Sequence, residues 1–314
     1  MYNSKEGDDL DEKDNLILET KPPLRSPYIV CGLNGWVNGG NVSVGGIEYL
    51  IRQLRAEKFA EMPTSRYHVY QLSGIQNVRP VFKMQDGVIK ESTFPKNQFY
   101  YAVNPTSDHD IILFLGTEPS LHWEEYADTV VKLASDFGAY RLCTFGGILD
   151  RSPYTREPRT SCTCTSSKVR DEMEKYNVTF SSREGPASFN LMLLHACNKK
   201  GLEGVNLTVR APYYPEFNIA VDYSPKSVKA VLLRLSHLMG LETNFEELNK
   251  SISEMEGKLD FIRQQNPQFN IYIEDLEKNY NEMPFQEPLD ISPHEAVRFA
   301  EEFLRENNDR QQEQ

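Results

Sequence analysis

Between Tyr28 and Gly240, short apolar runs rich in β-branched and aromatic residues alternate with segments whose apolar positions recur every three or four residues. The runs "YIVCGL" (28 to 33), "RYHVYQL" (66 to 72), "QFYYAV" (98 to 103), "DIILFLG" (110 to 116), "YRLCTFG" (140 to 146) and "GVNLTVR" (204 to 210) predict strands. Between them, Ile47, Leu50, Ile51 and Leu54 share one helix face, and Tyr126, Val130, Leu133, Ala134 and Phe137 share another. A third helix, "FNLMLLHACN", is opened by "EGPAS" (184 to 188). Strands alternating with helices predict an α/β fold built on a largely parallel sheet covered on both faces. The insertion 76 to 97 carries "QDG" between "VFKM" and "VIKESTF", the pattern of a β-hairpin on the edge of that sheet.

Towards the C-terminus the period becomes helical throughout. Ser224 and Pro225 are suited to a cap and a first turn, and Val228, Val231, Leu232, Leu235, Leu238 and Met239 form a stripe that ends at Gly240. Thr243 with Glu246 has the spacing of a capping box, and positions 248, 252, 255, 259 and 262 form an apolar seam that another element or subunit must cover. A break at Asn266-Pro267, a short helix around 271 to 280, and a last helix opened by Ser292, Pro293 and Glu295 follow. The chain therefore divides into a disordered acidic tail (1–25), an α/β core (26–240) and an acidic helical region (241–314).

Composition narrows the function classes. Apolar residues make up 39% and charged residues 25% of the 314, and the net charge is −12. Acidity is concentrated at the two ends, and the first 19 residues alone hold seven acids against two bases. No basic run supports nucleic-acid binding. No apolar stretch reaches the ~20 residues of a membrane span, and the N-terminus lacks the basic and apolar regions of a secretion signal, so a cytoplasmic location is expected. Five cysteines, at 31, 143, 162, 164 and 197, form no disulfide framework. Cys162-Thr-Cys164 lies in an alternating segment that points both thiols to one face. With no His or second Cys pair nearby in sequence, no metal site is expected.

In open parallel sheets ligands collect beyond the carboxyl ends of the strands. The loops there are Gly32 to Asn41, "GTEPS" (116 to 120), "GGILD" (146 to 150) and "APYYP" (211 to 215), which share one rim if their strands are parallel. Their glycines could cradle an anion at a helix N-terminus, yet neither GxxxxGK[ST] nor GxGxxG is present. Ser43 in "NVSVG" resembles a nucleophile elbow only loosely and falls inside the first turn of a helix. Of the histidines, His195 and His237 fit buried or boundary positions on helices, His68 alternates with strand residues, and none has the spacing of a metal pair. Glu118, Glu124 and Glu125 could bring carboxylates to the rim, the latter two more simply as first-turn residues of a helix. The candidate ligand or interface rim comprises Asn34, Gly35, Trp36, Asn38, Gly39, Asn41, Gly116, Glu118 and Gly147, with no catalytic constellation and no cofactor. Gly39 and Gly40 would let the chain leave the first strand for a helix near Asn41, with Trp36 an anchor against a loop or subunit and Asn38 and Asn41 capping NH groups.

The segment "GLNGWVNGGNVSVGGIEYLIRQL" (32 to 54) resembles the opening strand, Gly-Trp turn and first helix of the proteasome assembly chaperone 2 family. The resemblance continues through "DIILFLGTEPSLHW", "RLCTFGGILD", "EGPASFNLMLLHACNKKGLEGVNLTVRAPYY" and "SPKSVKAVLLRLSHLMGLE", covering about 27 to 265 in order. It implies a three-layer α/β/α fold similar to nucleoside phosphorylases, with a mainly parallel, mixed sheet. It also implies homo-oligomers, trimers or larger rings among them, and a non-catalytic role in assembling proteasomes or other multi-subunit clients. Members that dock on the proteasome use a C-terminal hydrophobic-Tyr-any tripeptide, whereas this chain ends Gln312-Glu313-Gln314. The competing expectation is an enzyme or a binder of nucleosides, nucleotides or carboxylates at the rim.

Overall fold

The structure is a computed structural model that describes residues 15–70, 79–180, 182 and 184–282. Its strands are β1 (Ile17–Leu18), β2 (Tyr28–Asn34), β3 (Glu57–Glu61), β4 (Val81–Gln85), β5 (Val88–Thr93), β6 (Gln98–Ala102), β7 (Ile111–Thr117), β8 (Arg141–Asp150), β9 (Thr160–Cys164) and β10 (Gly204–Pro212). Its α-helices are α1 (Val42–Gln53), α2 (Thr64–Tyr67), α3 (Trp123–Asp136), α4 (Ser167–Met173), α5 (Phe189–Lys200), α6 (Pro215–Ala220), α7 (Pro225–Met239), α8 (Glu246–Gln265) and α9 (Pro267–Glu282).

Eight strands form one sheet in the order β1-β3-β6-β7-β2-β8-β10-β9. The centre, β7-β2-β8-β10, is parallel, and the pairings outward from it on both sides are antiparallel. Alternate residues of the central strands enter two separate cores, as a sheet buried on both faces requires. Tyr28, Val30, Ile111, Leu113 and Leu115 join α1 and α7 on one face, whereas Ile29, Cys31, Leu33, Ile112 and Phe114 join α3 and α5 on the other. This is the expected three-layer α/β/α arrangement. The helix faces read from sequence are the buried ones: Tyr126, Val130, Leu133 and Ala134 are all inaccessible, as are Val228, Val231, Leu232, Leu235 and Met239.

Several elements differ from the sequence reading. The run 66 to 72 is not a strand where it is described, because Thr64–Tyr67 form helix α2 and residues 71–72 lie outside the described residues. Tyr67 turns its ring edge-on to Tyr126 in the core, at 4.9 Å, and that contact outweighs the β-branched and aromatic pattern. β3 has a helix-like composition, "EKFAE", but Arg55 at φ 50° ends the preceding helix and directs the chain into the sheet. The hairpin β4–β5 forms through Asp86 and Gly87, both at positive φ, in the manner of a type I′ turn. It is a separate two-stranded sheet and not an edge of the main one.

At the N-terminus, residues 1–14 of the expected tail lie outside the described residues. Residues 17–25 are tied to the sheet, by the β1–β3 pairing and by Arg25, whose guanidinium lies 2.7 Å from the buried Asp110 carboxylate. At the other end, the capping box does not form. Asn244 Oδ1 accepts from the Glu246 NH at 2.8 Å, while the Thr243 hydroxyl bonds Ser236. α9 starts at Pro267, directly after α8, and the helix expected from Ser292 lies outside the described residues.

The seam on α8 is covered within the chain. Met255 and Leu259 form one buried cluster with Tyr154, Tyr214 and Phe217 from the strand-end loops and α6, and with Phe269, Ile273 and Leu276 of α9. Polar contacts fasten this cap: the Tyr154 hydroxyl donates to Asp260 at 2.6 Å, and the Lys226 ammonium bridges Glu256 and the Tyr154 carbonyl. No second subunit is needed to bury it.

Candidate functional site

Because β7, β2, β8 and β10 are parallel, the loops that follow them meet on one rim, as their sequence order predicts. α1 leaves β2 towards one face and α3 leaves β7 towards the other, so the crevice where such folds receive ligands lies between these two loops. Here the Glu118 side chain fills it. Its Oε2 accepts from the Trp36 NH at 2.7 Å, and its carboxylate also accepts from the NH of Phe189, the first residue of α5. The Glu118 NH in turn donates to the Asn34 carbonyl at 2.8 Å. Desolvation holds the Glu118 carboxyl above the ordinary carboxylate range, against the opposing pull of the two backbone NH groups. A Cβ at Gly35 would lie 2.3 Å from Glu118 Oε2, so glycine there is what lets the loop close onto the carboxylate.

The next gap, between the β2 and β8 loops, is closed by backbone. Asn38 and Gly147 form a parallel bridge, and the Gly147 NH donates to the Val37 carbonyl at 2.8 Å. A Cβ on Gly147 would sit 2.1 Å from the Gly39 carbonyl oxygen, and one on Gly39 would be 2.8 Å from the Gly147 oxygen. These glycines serve a close approach of protein to itself. Gly116 lies within β7 against Leu33 and Phe114, behind the rim.

The N-terminus of α1 is likewise occupied. Asn38 Oδ1 accepts from the NH groups of Ser43 and Val44, each at 3.0 Å, which places an internal acceptor where an anion would bind. Asn38 thus caps as expected. Asn41 does not cap with its side chain: it occupies the left-handed region at φ 52°, and its Oδ1 accepts from Asn38 Nδ2 at 3.3 Å. Asn34 Oδ1 is 3.4 Å from the same amide. Ser43 is fully buried, its Oγ accepting from the Leu33 NH at 2.7 Å and donating to the Phe145 carbonyl at 3.0 Å. Such a hydroxyl staples β2 to β8 and is not presented to a substrate.

Other candidate groups are dispersed. His195 and His237 are exposed, contrary to their expected buried or boundary positions, because both lie on the solvent sides of their helices. His68 is buried, 3.2 Å from Asn97 Nδ2, and burial lowers its pKa. Glu124 and Glu125 occupy the first turn of α3 as expected, with Glu125 accepting from Arg66 at 2.6 Å and held below its ordinary pKa chiefly by that bond. Among the described residues, no three His, Cys, Asp or Glu side chains converge to hold a metal ion, and no helix is long and apolar enough to cross a membrane.

What the rim presents outward is hydrophobic. Each of the four parallel strands leads to one large exposed side chain: Trp36 after β2 (45% exposed), Leu121 after β7 (45%), Leu149 at the end of β8 (44%) and Tyr213 after β10 (50%). Leu121, Leu149 and Tyr213 escape sequence reasoning because nothing local distinguishes an exposed apolar residue from a core one. A groove of about 560 Å³ lies elsewhere, between α6 and α8, lined by Ile219, Ala220, Gly257, Lys258, Phe261 and Ile262.

The sequence profile of the PAC2 family matches residues 32–263, spanning the rim, the sheet and most of α8. The chain belongs to the PAC2 family. It is 25% identical over 246 residues to the uncharacterized protein MJ1210 of Methanocaldococcus jannaschii, covering 77% of this chain and 84% of that one. The fold matches the Mycobacterium tuberculosis proteasome-assembly chaperone homologue Rv2125 with a TM-score of 0.67 and 22% identity, over 78% of this chain and 99% of that one. It also matches Rv2714 of the same organism, a protein of unknown function (TM-score 0.75, 20% identity, 86% and 92% covered). A third match is PbaB of Pyrococcus furiosus, an archaeal proteasome activator (TM-score 0.60, 23% identity, 79% and 97% covered). These structures share the fold of the present chain.

Proposed function

We propose that this PAC2 protein is a non-catalytic, homo-oligomeric assembly or scaffolding factor whose strand-end rim is a protein-contact surface. The observation that carries this reading is the rim itself. Its crevice is filled by Glu118, its helix N-terminus is capped by Asn38, and its outer surface offers Trp36, Leu121, Leu149 and Tyr213. Exposed aromatic and aliphatic side chains on a rigid frame suit a protein partner, in which a few such residues contribute most of the binding energy. The proteasome-assembly chaperone homologue and the proteasome activator among its structural neighbours support a multi-subunit client of that kind. Fold similarity at this identity extends to architecture, and the client is inferred from the surface chemistry.

Light scattering after gel filtration tests the self-association. A trimer or larger ring at micromolar concentration is expected, and Trp36→Ala combined with Tyr213→Ser should shift it towards monomer without changing the circular dichroism. A wild-type chain that stays monomeric would refute the oligomeric part. The small-molecule reading is tested by thermal shift against nucleosides, nucleotides, phosphate and carboxylates, in which a ligand at 100 times its dissociation constant would stabilise by about 2.7 kcal/mol. No shift is expected, since the crevice would first have to expel Glu118.

A further inference from the structure

Away from the rim, two thiols meet at the edge of the sheet. β9 is an edge strand paired with β10 alone among the named strands, with Cys162 opposite Leu207 and Cys164 opposite Val205. Two residues apart on a strand, the cysteines face the same side, and their Sγ atoms lie 3.5 Å from each other. Cys162 is buried, whereas Cys164 is half-buried at the strand's end, just before the Ser166 cap of α4, so one thiol of the pair is reachable from solvent. Cys143 and Met173 belong to the same buried cluster as Cys162.

We propose that Cys162 and Cys164 form a binding site for a soft monovalent d10 cation, with Cu(I) as the type ion, held between the two sulfurs. Ligand count decides the class of ion. Structural zinc sites are almost always four-coordinate, and among the described residues no third His, Cys, Asp or Glu joins these two thiols to approach that number. A soft monovalent ion is satisfied by two thiolates and selects them over oxygen or nitrogen. The sequence pattern argued against a metal only because it lacked further ligands, and a two-coordinate ion needs none.

The geometry requires a small adjustment. Bridging two sulfurs through one ion in a linear arrangement needs them about 4.6 Å apart, twice a metal–sulfur bond of ~2.3 Å, and rotation about the χ1 angle of the half-buried Cys164 opens the present gap. A disulfide is less well suited. Its Cβ atoms must approach to ~3.8 Å, closer than regular strand geometry places residues i and i+2. Binding is a ligand exchange without electron transfer: two thiols and one M⁺ give an [S–M–S]⁻ unit and release two protons. The resulting negative charge sits near the Arg141 and Arg170 guanidiniums, which are themselves paired with Glu172 and Glu174.

The test is an anaerobic competition on the reduced full-length chain, in which Cu(I) is withdrawn from its coloured bicinchoninate complex and followed by absorbance. One Cu(I) per chain should transfer to the wild type and to C197S, and none to C162S, C164S or the double variant. Failure of the wild type to withdraw Cu(I), or equal withdrawal by the double variant, overturns the proposal. Should a serine variant lose its circular dichroism signal, alkylation of the wild type read by mass spectrometry decides instead. Cu(I) at about ten times its dissociation constant should slow labelling of Cys164 about tenfold. Unchanged labelling refutes the site.

Discussion

At the scale of single residues, the rim is governed by side chains that satisfy backbone groups. Asn38 accepts two NH groups of α1, so Asn38→Ala should lower stability by about 1–2 kcal/mol in urea unfolding, and Asn38→Asp should retain most of it. Ser43→Ala leaves the Leu33 NH without its buried acceptor, which should cost about 1–3 kcal/mol. Glu118 gives a pH signature. Its folded pKa is raised above the ordinary 4.5. The proton is therefore held more tightly in the folded state, and the stabilisation this brings is complete below 4.5 and is lost as pH rises through the folded value. Wild type minus Glu118→Gln, followed by denaturant midpoint from pH 4 to 8, should decline with rising pH. A difference that is flat or rises with pH would mean that Glu118 is not desolvated as described. Asn38 as a capping residue and Ser43 as a helix-turn residue were legible in sequence, because their partners lie within a few positions. The Glu118 contact to Trp36 was not, because it spans 82 residues.

At the scale of elements, local pattern and tertiary context divide the account. α1, α3 and α7 follow their apolar stripes, because an amphipathic helix on a two-sided sheet has one place to put its buried face. α2 and β3 do not follow their local propensities. Short segments gain too little from propensity to resist a contact such as Tyr67 on Tyr126 or pairing with β6. The helical cap is an element-scale prediction in its own right. Leu259 is fully buried between the strand-end loops and α9, so Leu259→Ala should destabilise by about 2–5 kcal/mol. If the α8–α9 cap unfolds separately from the core, the loss will appear as an early transition by tyrosine fluorescence, because Tyr154, Tyr214 and Tyr272 lie in that cluster.

At the scale of the whole molecule, the same rim is divided between two uses. On the β8 and β10 side, part of it is covered by the chain's own C-terminal helices through Tyr154 and Tyr214, and the remainder presents exposed hydrophobic side chains. A partner engaging that remainder would contact four loops held by one rigid sheet, so single substitutions at its margins should weaken association without altering the fold. Trp36→Ala alone should leave the unfolding free energy of the monomer in urea within about 0.5 kcal/mol of wild type, as expected of an exposed side chain, while reducing association. By itself the sequence determined the alternation of strands and helices, the helix faces, the hairpin turn at Asp86-Gly87 and the serial motifs that mark the PAC2 family. Each of these depends on residues near one another in the chain. The tertiary structure alone decided that the glycine-rich loop is filled by Glu118 and Gly147, and that the α8 seam is covered by Tyr154, Tyr214 and Phe217 from earlier loops and α6, and by α9. Close approach and burial are properties of chain segments distant in sequence, and local periodicity carries no information about which distant segment will meet them.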